Sequence, residues 1–162
     1  MLKEDKLSKF FRLRLSREPL WLTQRLVFLG EIERSNDFEA KKPIGKVLEN
    51  GVEKDDLLFD DSALAYKSPE GLVIITGCSH SGISNIVEQA RRICGEDRVL
   101  DIAGGLHLMD PPKAQLQETM EYLQALRPGS VHAGHCTDLR SKIDLSRVVE
   151  LKEVGVGLTL EY

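Results

Sequence analysis

No apolar run in this 162-residue chain approaches the ~20 residues that span a bilayer. The opening segment, Met1-Leu2-Lys3-Glu4-Asp5-Lys6, also has no apolar core of the kind a signal peptide carries. A cytoplasmic location without a membrane partner is therefore expected. There is no basic tract either: 22 lysines and arginines stand against 26 aspartates and glutamates, for a net charge of −4. That balance argues against a surface that neutralises a run of phosphates, and so against nucleic acid as a partner, while a local basic patch remains able to grip a small anion. The cysteines are too few, and odd in number, for a disulfide framework: Cys78, Cys94 and Cys136 are the whole set. Internal repeats and low-complexity segments are missing as well. What is present, 41% apolar and 30% charged residues, suits one globular domain with a real core.

Two styles of organisation divide the chain. From Leu20 to Thr76 short strands and turns are expected: Arg25 to Ile32, Ile44 to Leu48, an Asn50-Gly51 hairpin turn, Leu57 to Phe59, Ala63 to Tyr66 and Leu72 to Thr76. Residues 1–19 read as an amino-terminal extension to this domain, which runs from 20 to 162. The polar stretch from Glu33 to Pro43 has loop composition, and two readings stand for it: a solvated connection, or a lid over a site. After Thr76 strands and helices alternate. Ile83, Ile86, Val87, Ala90, Ile93 and Cys94 recur at helical spacing, so residues 81–94 form an amphipathic helix that Gly95 ends. A second helix takes Asp110 as cap and Pro111 in its first turn, with Leu116, Met120, Leu123 and Leu126 buried and Pro128-Gly129 as its stop. A third, after Thr137, uses Leu139, Ile143 and Val148 or Val149, and Gly157 to Tyr162 reads as a last strand. The fold class is α/β, a β-meander followed by βαβαβαβ.

Three of the four histidines, His80, His107 and His135, come directly after strand-like apolar runs. Loops beyond the carboxyl ends of strands are where distant parts of an α/β chain converge, and imidazoles converging there are the raw material of a transition-metal site. His80 precedes a helix whose first turn, beginning at Ser81, offers free backbone amides to an anion. His107 follows Gly104-Gly105, a pair that permits close backbone approach. His132 lies within its strand and reads as a hydrogen-bonded sheet histidine, and Cys94 as a small buried hydrophobe. Asp60 and Asp61 close a run before Ser62; they are either solvated turn acids or, if the turn folds towards the histidines, substrate-orienting or proton-handling groups. Cys78 and Cys136 are candidates for imidazole-activated nucleophiles or soft ligands, although their spacing matches no zinc ribbon or finger.

The segments Leu72-Val73-Ile74-Ile75-Thr76-Gly77-Cys78-Ser79-His80-Ser81-Gly82-Ile83, Gly104-Gly105-Leu106-His107-Leu108 and Gly134-His135-Cys136-Thr137, with Asp60-Asp61-Ser62-Ala63-Leu64 upstream, resemble the metallo-β-lactamase-fold superfamily. Within it they resemble the branch of metal-dependent hydrolases related to the dihydropterin ribofuranosyl-aminobenzene phosphate synthases. The resemblance implies part of an αββα sandwich with a metal site at one edge of two packed sheets. It implies His80 and His135 as metal ligands and His107 as a third ligand or a substrate contact. In an enzyme built on these residues, Asp60 or Asp61 is expected as the orienting group and Ser81, Cys78 and Thr137 beside the substrate. The expected cofactor is a divalent metal, zinc first, with iron and manganese equally served by imidazole. The superfamily's His-x-His-x-Asp-His run is absent, because no histidine precedes His80.

A catalytic zinc takes three protein ligands plus water, and a two-metal site takes more. The first reading is therefore the carboxyl-terminal half of a hydrolase acting on a small anionic or phosphate-bearing substrate, inactive until an amino-terminal half arrives on another chain or in a homo-oligomer. The second is a non-catalytic binding module that keeps the scaffold, with or without one metal. Either way, the missing half would leave apolar sheet surface uncovered.

Overall fold

At Thr76 the hydrophobic period changes from that of strands to that of helices, and the computed structural model, which describes residues 4–162, turns this into a meander followed by crossovers. Met1 to Lys3, which open the segment read as having no signal-peptide core, lie outside the described residues. The elements are α1 (Glu4–Leu7), β1 (Leu20–Trp21), β2 (Leu26–Phe28), β3 (Gly45–Glu49), β4 (Val52–Asp56), β5 (Ala63–Ser68) and β6 (Gly71–Thr76). They continue with α2 (Ile83–Cys94), β7 (Val99–Gly105), α3 (Lys113–Leu126), β8 (Ser130–Gly134) and α4 (Leu139–Leu145). Six strands form one sheet in the order β1-β2-β5-β6-β7-β8, and β3-β4 form a separate ribbon. Pairings from β1 to β6 are antiparallel, whereas β6, β7 and β8 run parallel. The carboxyl ends of these three parallel strands, and the loops that follow them, therefore share one edge of the sheet.

Alternation sorts the sheet into two faces. Val27, Ala63, Ala65, Leu72, Ile74, Ile102, Val131 and Ala133 join Ile83, Ile86, Val87, Ala90, Leu123 and Leu145 in one core against the helices. The opposite face carries Leu26, Phe28, Leu64, Tyr66, Val73, Ile75, Ala103, Asp101 and His132. No second sheet packs on it among the described residues, and Ile75 is 44% exposed. One sheet backed by one layer of helices is half of an αββα sandwich. The segment after α4 crosses the β8 edge, where Leu151 bridges Val131, and the Tyr162 hydroxyl reaches the Asp101 carboxylate.

Several boundaries differ from the sequence expectation. Leu57 to Phe59 is not a strand: β4 ends at Asp56 and Leu58 takes a positive φ of 50°. Asp110 does not cap α3, which starts at Lys113 after Pro112; two successive prolines hold the chain extended there, and the Asp110 amide bonds to the Asp138 side chain instead. In α4 the stripe is reversed. Leu139 and Ile143 are exposed while Ser141 and Leu145 are buried, and the Asp138 side chain caps the helix by accepting from Ser141 N–H. Gly157 to Tyr162 forms no strand; the β8 edge it would need is taken by Glu150 to Lys152. The Asn50-Gly51 turn and the Gly95 helix end hold, each with the left-handed backbone those residues tolerate.

Candidate functional site

Three loops meet at the sheet edge and are stitched laterally. Gly105 N–H donates to Gly77 O at 2.8 Å and the Ser79 hydroxyl donates to Gly105 O at 2.6 Å, joining the loops after β6 and β7. Leu106 N–H donates to the Thr137 hydroxyl at 3.1 Å and Leu108 N–H to Cys136 O at 2.9 Å, joining those after β7 and β8. The close approach needs bare backbone. A Cβ on Gly105 would stand 2.6 Å from Cys136 Sγ and 2.8 Å from Gly77 O. Ser79, His107 and His135 all take positive φ, at 57°, 53° and 34°, so non-glycine strain gathers in these loops, as it does at functional sites.

The stitching brings His80 and His107 together, with ring centroids 4.5 Å apart in an edge-to-face arrangement. His80 Nδ1 is buried without a hydrogen-bond partner, an expensive state for a polar atom. Burial, and next the His80 ring beside it, depress the His107 pKa, with Asp61 pulling the other way. His107 is thus held towards the neutral, lone-pair-bearing form. The pair opens into a cleft of about 500 Å³ whose one wall carries Phe38, Lys41 and Lys42 and whose other carries Asp110, Gln115 and Glu118.

The two acids part company. Asp61 folds towards the histidines, and its Oδ2 accepts from both the amide and the hydroxyl of Ser81, at 2.8 and 2.7 Å. Asp60 is exposed and lines a different cavity with Arg14, Arg17, Phe28 and Phe59. The free amides expected at the start of α2 are occupied by the protein's own carboxylates: Asp61 takes Ser81, and Glu39 takes Ser84 and Asn85. Ser81 is 1% exposed and holds Asp61. Thr137 is likewise buried and spends its hydroxyl on Leu106. His135 stands exposed in the turn after β8. His132 is the sheet histidine its position suggested, its Nδ1 2.9 Å from the buried Asp101.

Cys136 Sγ accepts from His107 N–H and donates to Cys78 O, and burial above all pushes its pKa up. Cys94 is buried on α2 with its pKa also raised by burial.

Glu39 escaped the sequence reading. It belongs to a zipper: along α2, Gln89 donates to Leu29 O and Glu31 O and accepts from Glu33 N–H, Asn85 accepts from Ser35 and Asn36 N–H, and Glu39 accepts from Ser84 and Asn85 N–H. The stretch from Glu33 to Pro43 is neither of the two expected extremes. Its first half is pinned to the helix and its second half walls the cleft. The available signal was a helix presenting Ser84, Asn85 and Gln89 on its buried side, polar groups that need partners.

For a cation, the fit is partial. Two imidazoles face each other with a bare buried nitrogen, but among the described residues no three of His, Cys, Asp and Glu gather where a metal ion would be held. That falls short of the three protein ligands a catalytic zinc takes. The described residues therefore do not complete a metal site.

Comparison with known proteins places the fold. The fold is that of the metallo-β-lactamase superfamily: the crystal structure of a metal-dependent hydrolase of that superfamily superposes with a TM-score of 0.80 at 29% identity, over 93% of this chain and 58% of the other. Among curated proteins, the 7,8-dihydropterin-6-methyl-4-(beta-D-ribofuranosyl)-aminobenzene-5'-phosphate synthase of Methanocaldococcus jannaschii is 37% identical over 144 residues, 87% of this chain and 49% of that protein. An uncharacterised protein of the same organism is 26% identical over 145 residues, 90% of this chain and 53% of its own. The chain spans about half the length of the curated relatives it matches. No family model matches it. Among the described residues no helix is long and apolar enough to cross a membrane.

Proposed function

We propose that this chain carries the carboxyl-terminal half of a metal-dependent hydrolase that acts on a small anionic, phosphate-bearing substrate and becomes competent only together with an amino-terminal half. The observation that carries the reading is the His80–His107 pair, two touching imidazoles, one with an unpartnered buried nitrogen, facing a 500 Å³ cleft. In it His80 and His107 are this chain's share of the cation ligands, zinc first, with His135 the outlying candidate. Asp61 orients the loop that carries His80 through Ser81. Lys41 and Lys42 supply positive charge for the phosphate, and Phe38, Ile44 and Met109 an apolar floor beside it. The phosphate in the name of the curated relative, and the metal-dependence in the description of the structural one, support this assignment.

A second reading rests on the incomplete ligand set: a binding module that keeps the scaffold without turnover. One experiment separates them. Bound zinc or manganese per chain and hydrolysis of bis-p-nitrophenyl phosphate are measured on the chain alone, then after adding the half of the synthase relative that this chain does not match. The hydrolase reading expects weak metal retention alone and gain of both metal and turnover on mixing, lost again in His80→Ala and His107→Ala. Metal below one per two chains with no turnover after mixing leaves the binding module.

A further inference from the structure

We propose that Glu39 is a positioning residue: its buried carboxylate, seated on Gly82 and bonded to the first amides of α2, holds the cleft wall of Phe38, Ala40, Lys41 and Lys42 in fixed relation to the His80–His107 pair. The proposal deepens the reading of the cleft as a substrate site and rests on it for its functional meaning.

The geometry is that of a tether between two parts of the site. Glu39 is 3% exposed. Both its oxygens accept from Ser84 N–H at 3.1 Å; Oε1 also accepts from the Ser84 hydroxyl, and Oε2 from Asn85 N–H at 3.3 Å and Asn36 Nδ2 at 2.7 Å. Helices usually take a cap from their own N-cap side chain. Here the N-cap is Gly82, which makes no side-chain cap, so α2 relies on a carboxylate delivered by a distant loop. Gly82 also provides the cradle: a Cβ there would stand 2.4 to 2.6 Å from Glu39 atoms. Two residues before Gly82 is His80. Residues on both sides of Glu39 line the cleft, yet Glu39 itself turns to the helix. Ala40, with a φ of 55°, bends the chain directly after it. The segment around Glu39 brings Lys41 and Lys42, with Asp37, to the lining of the cleft that Asp110 and Glu118 also line.

Glu39→Ala, Glu39→Gln and the wild-type chain are compared by trypsin cleavage after Lys41, by the ring resonances of His80 and His107, and with added formate as a replacement carboxylate. The expected result is cleavage after Lys41 faster by about tenfold or more in Glu39→Ala, as a locally released loop allows, with cleavage elsewhere unchanged. The histidine signals shift, formate restores both readouts, and Glu39→Gln, which keeps one acceptor oxygen, falls between. Wild-type cleavage and wild-type histidine signals in a folded Glu39→Ala overturn the proposal. Acceleration at every site without formate rescue also overturns it, because Glu39 then merely stabilises; if Glu39→Ala does not fold, Glu39→Gln is judged by the same two results. A wild-type chain whose histidine signals do not respond to inorganic phosphate or zinc counts against the substrate reading alone, and cleavage after Lys41 with formate rescue still decides the tether.

Discussion

Asp61 takes both the backbone amide and the hydroxyl of Ser81 on a single oxygen, and so fixes the residue that directly follows His80. A carboxylate from the turn before β5 thereby enters a loop at the end of β6. Removing it leaves a buried amide and a buried hydroxyl without partners. Asp61→Ala should cost about 1–3 kcal/mol, the range for leaving a buried donor unsatisfied. Ser81→Ala, which removes only the hydroxyl, should cost less. Denaturant unfolding of both variants measures this, and equal losses would show that the amide contact contributes nothing.

Gly105 is where β7 can press against the neighbouring loops, since a methyl there meets Cys136 Sγ and Gly77 O inside contact distance. Gly105→Ala should destabilise by about 1–3 kcal/mol as an overpacked site, and should separate the His80 and His107 rings. Gly155→Ala, where a Cβ meets nothing within 4 Å, is the control. Thermal melts together with the histidine ring signals compare the two.

Glu39 makes stability depend on pH with a defined sign. Burial raises its pKa above the ordinary 4.5, outweighing the hydrogen bonds to Ser84, Asn36 and Asn85 that lower it. The folded state therefore holds this proton more tightly than the unfolded state does. The contribution of Glu39 is most favourable below the unfolded value and falls as pH rises through the raised folded value. The difference in unfolding free energy between the wild-type chain and Glu39→Gln, followed from acid pH towards neutrality, should move in favour of the variant; a difference flat across that window would contradict the raised pKa.

Ile75 belongs to the sheet face without a second layer, and Ile74 to the core beneath the helices. Ile75→Lys should change the stability of the chain alone by no more than about 0.5 kcal/mol. It should also abolish association with a complementing half. Ile74→Lys buries an unpaired charge and should prevent folding. Sedimentation of the two variants with and without the complementing half tests the contrast.

Much of the fold was legible because it depends on local chemistry. Period-two and period-3.6 patterns placed β5, β6, α2 and the buried stripe of α3, and Gly95 and Asn50-Gly51 marked ends and turns through conformations that few other residues tolerate. The α4 stripe was misread because Leu139 and Ile143 share a helical face that spacing alone marks as apolar, whereas tertiary packing buries Ser141 and Leu145 instead.

Strand-end position, a property of order along the chain, raised His80, His107 and His135 alike, and the run of acids before Ser62 raised Asp60 and Asp61 together. Which histidine would touch which, that Asp61 and not Asp60 would turn inward, and that Glu39 would fill the helix start were settled only by the folded chain. Hydrogen bonds such as Asp61 to Ser81 and Glu39 to Ser84 join residues with no local pattern linking them. They arise because buried amides must find acceptors, and the nearest acceptor in space is set by how β6, β7 and the loop after β2 pack, not by spacing in the sequence.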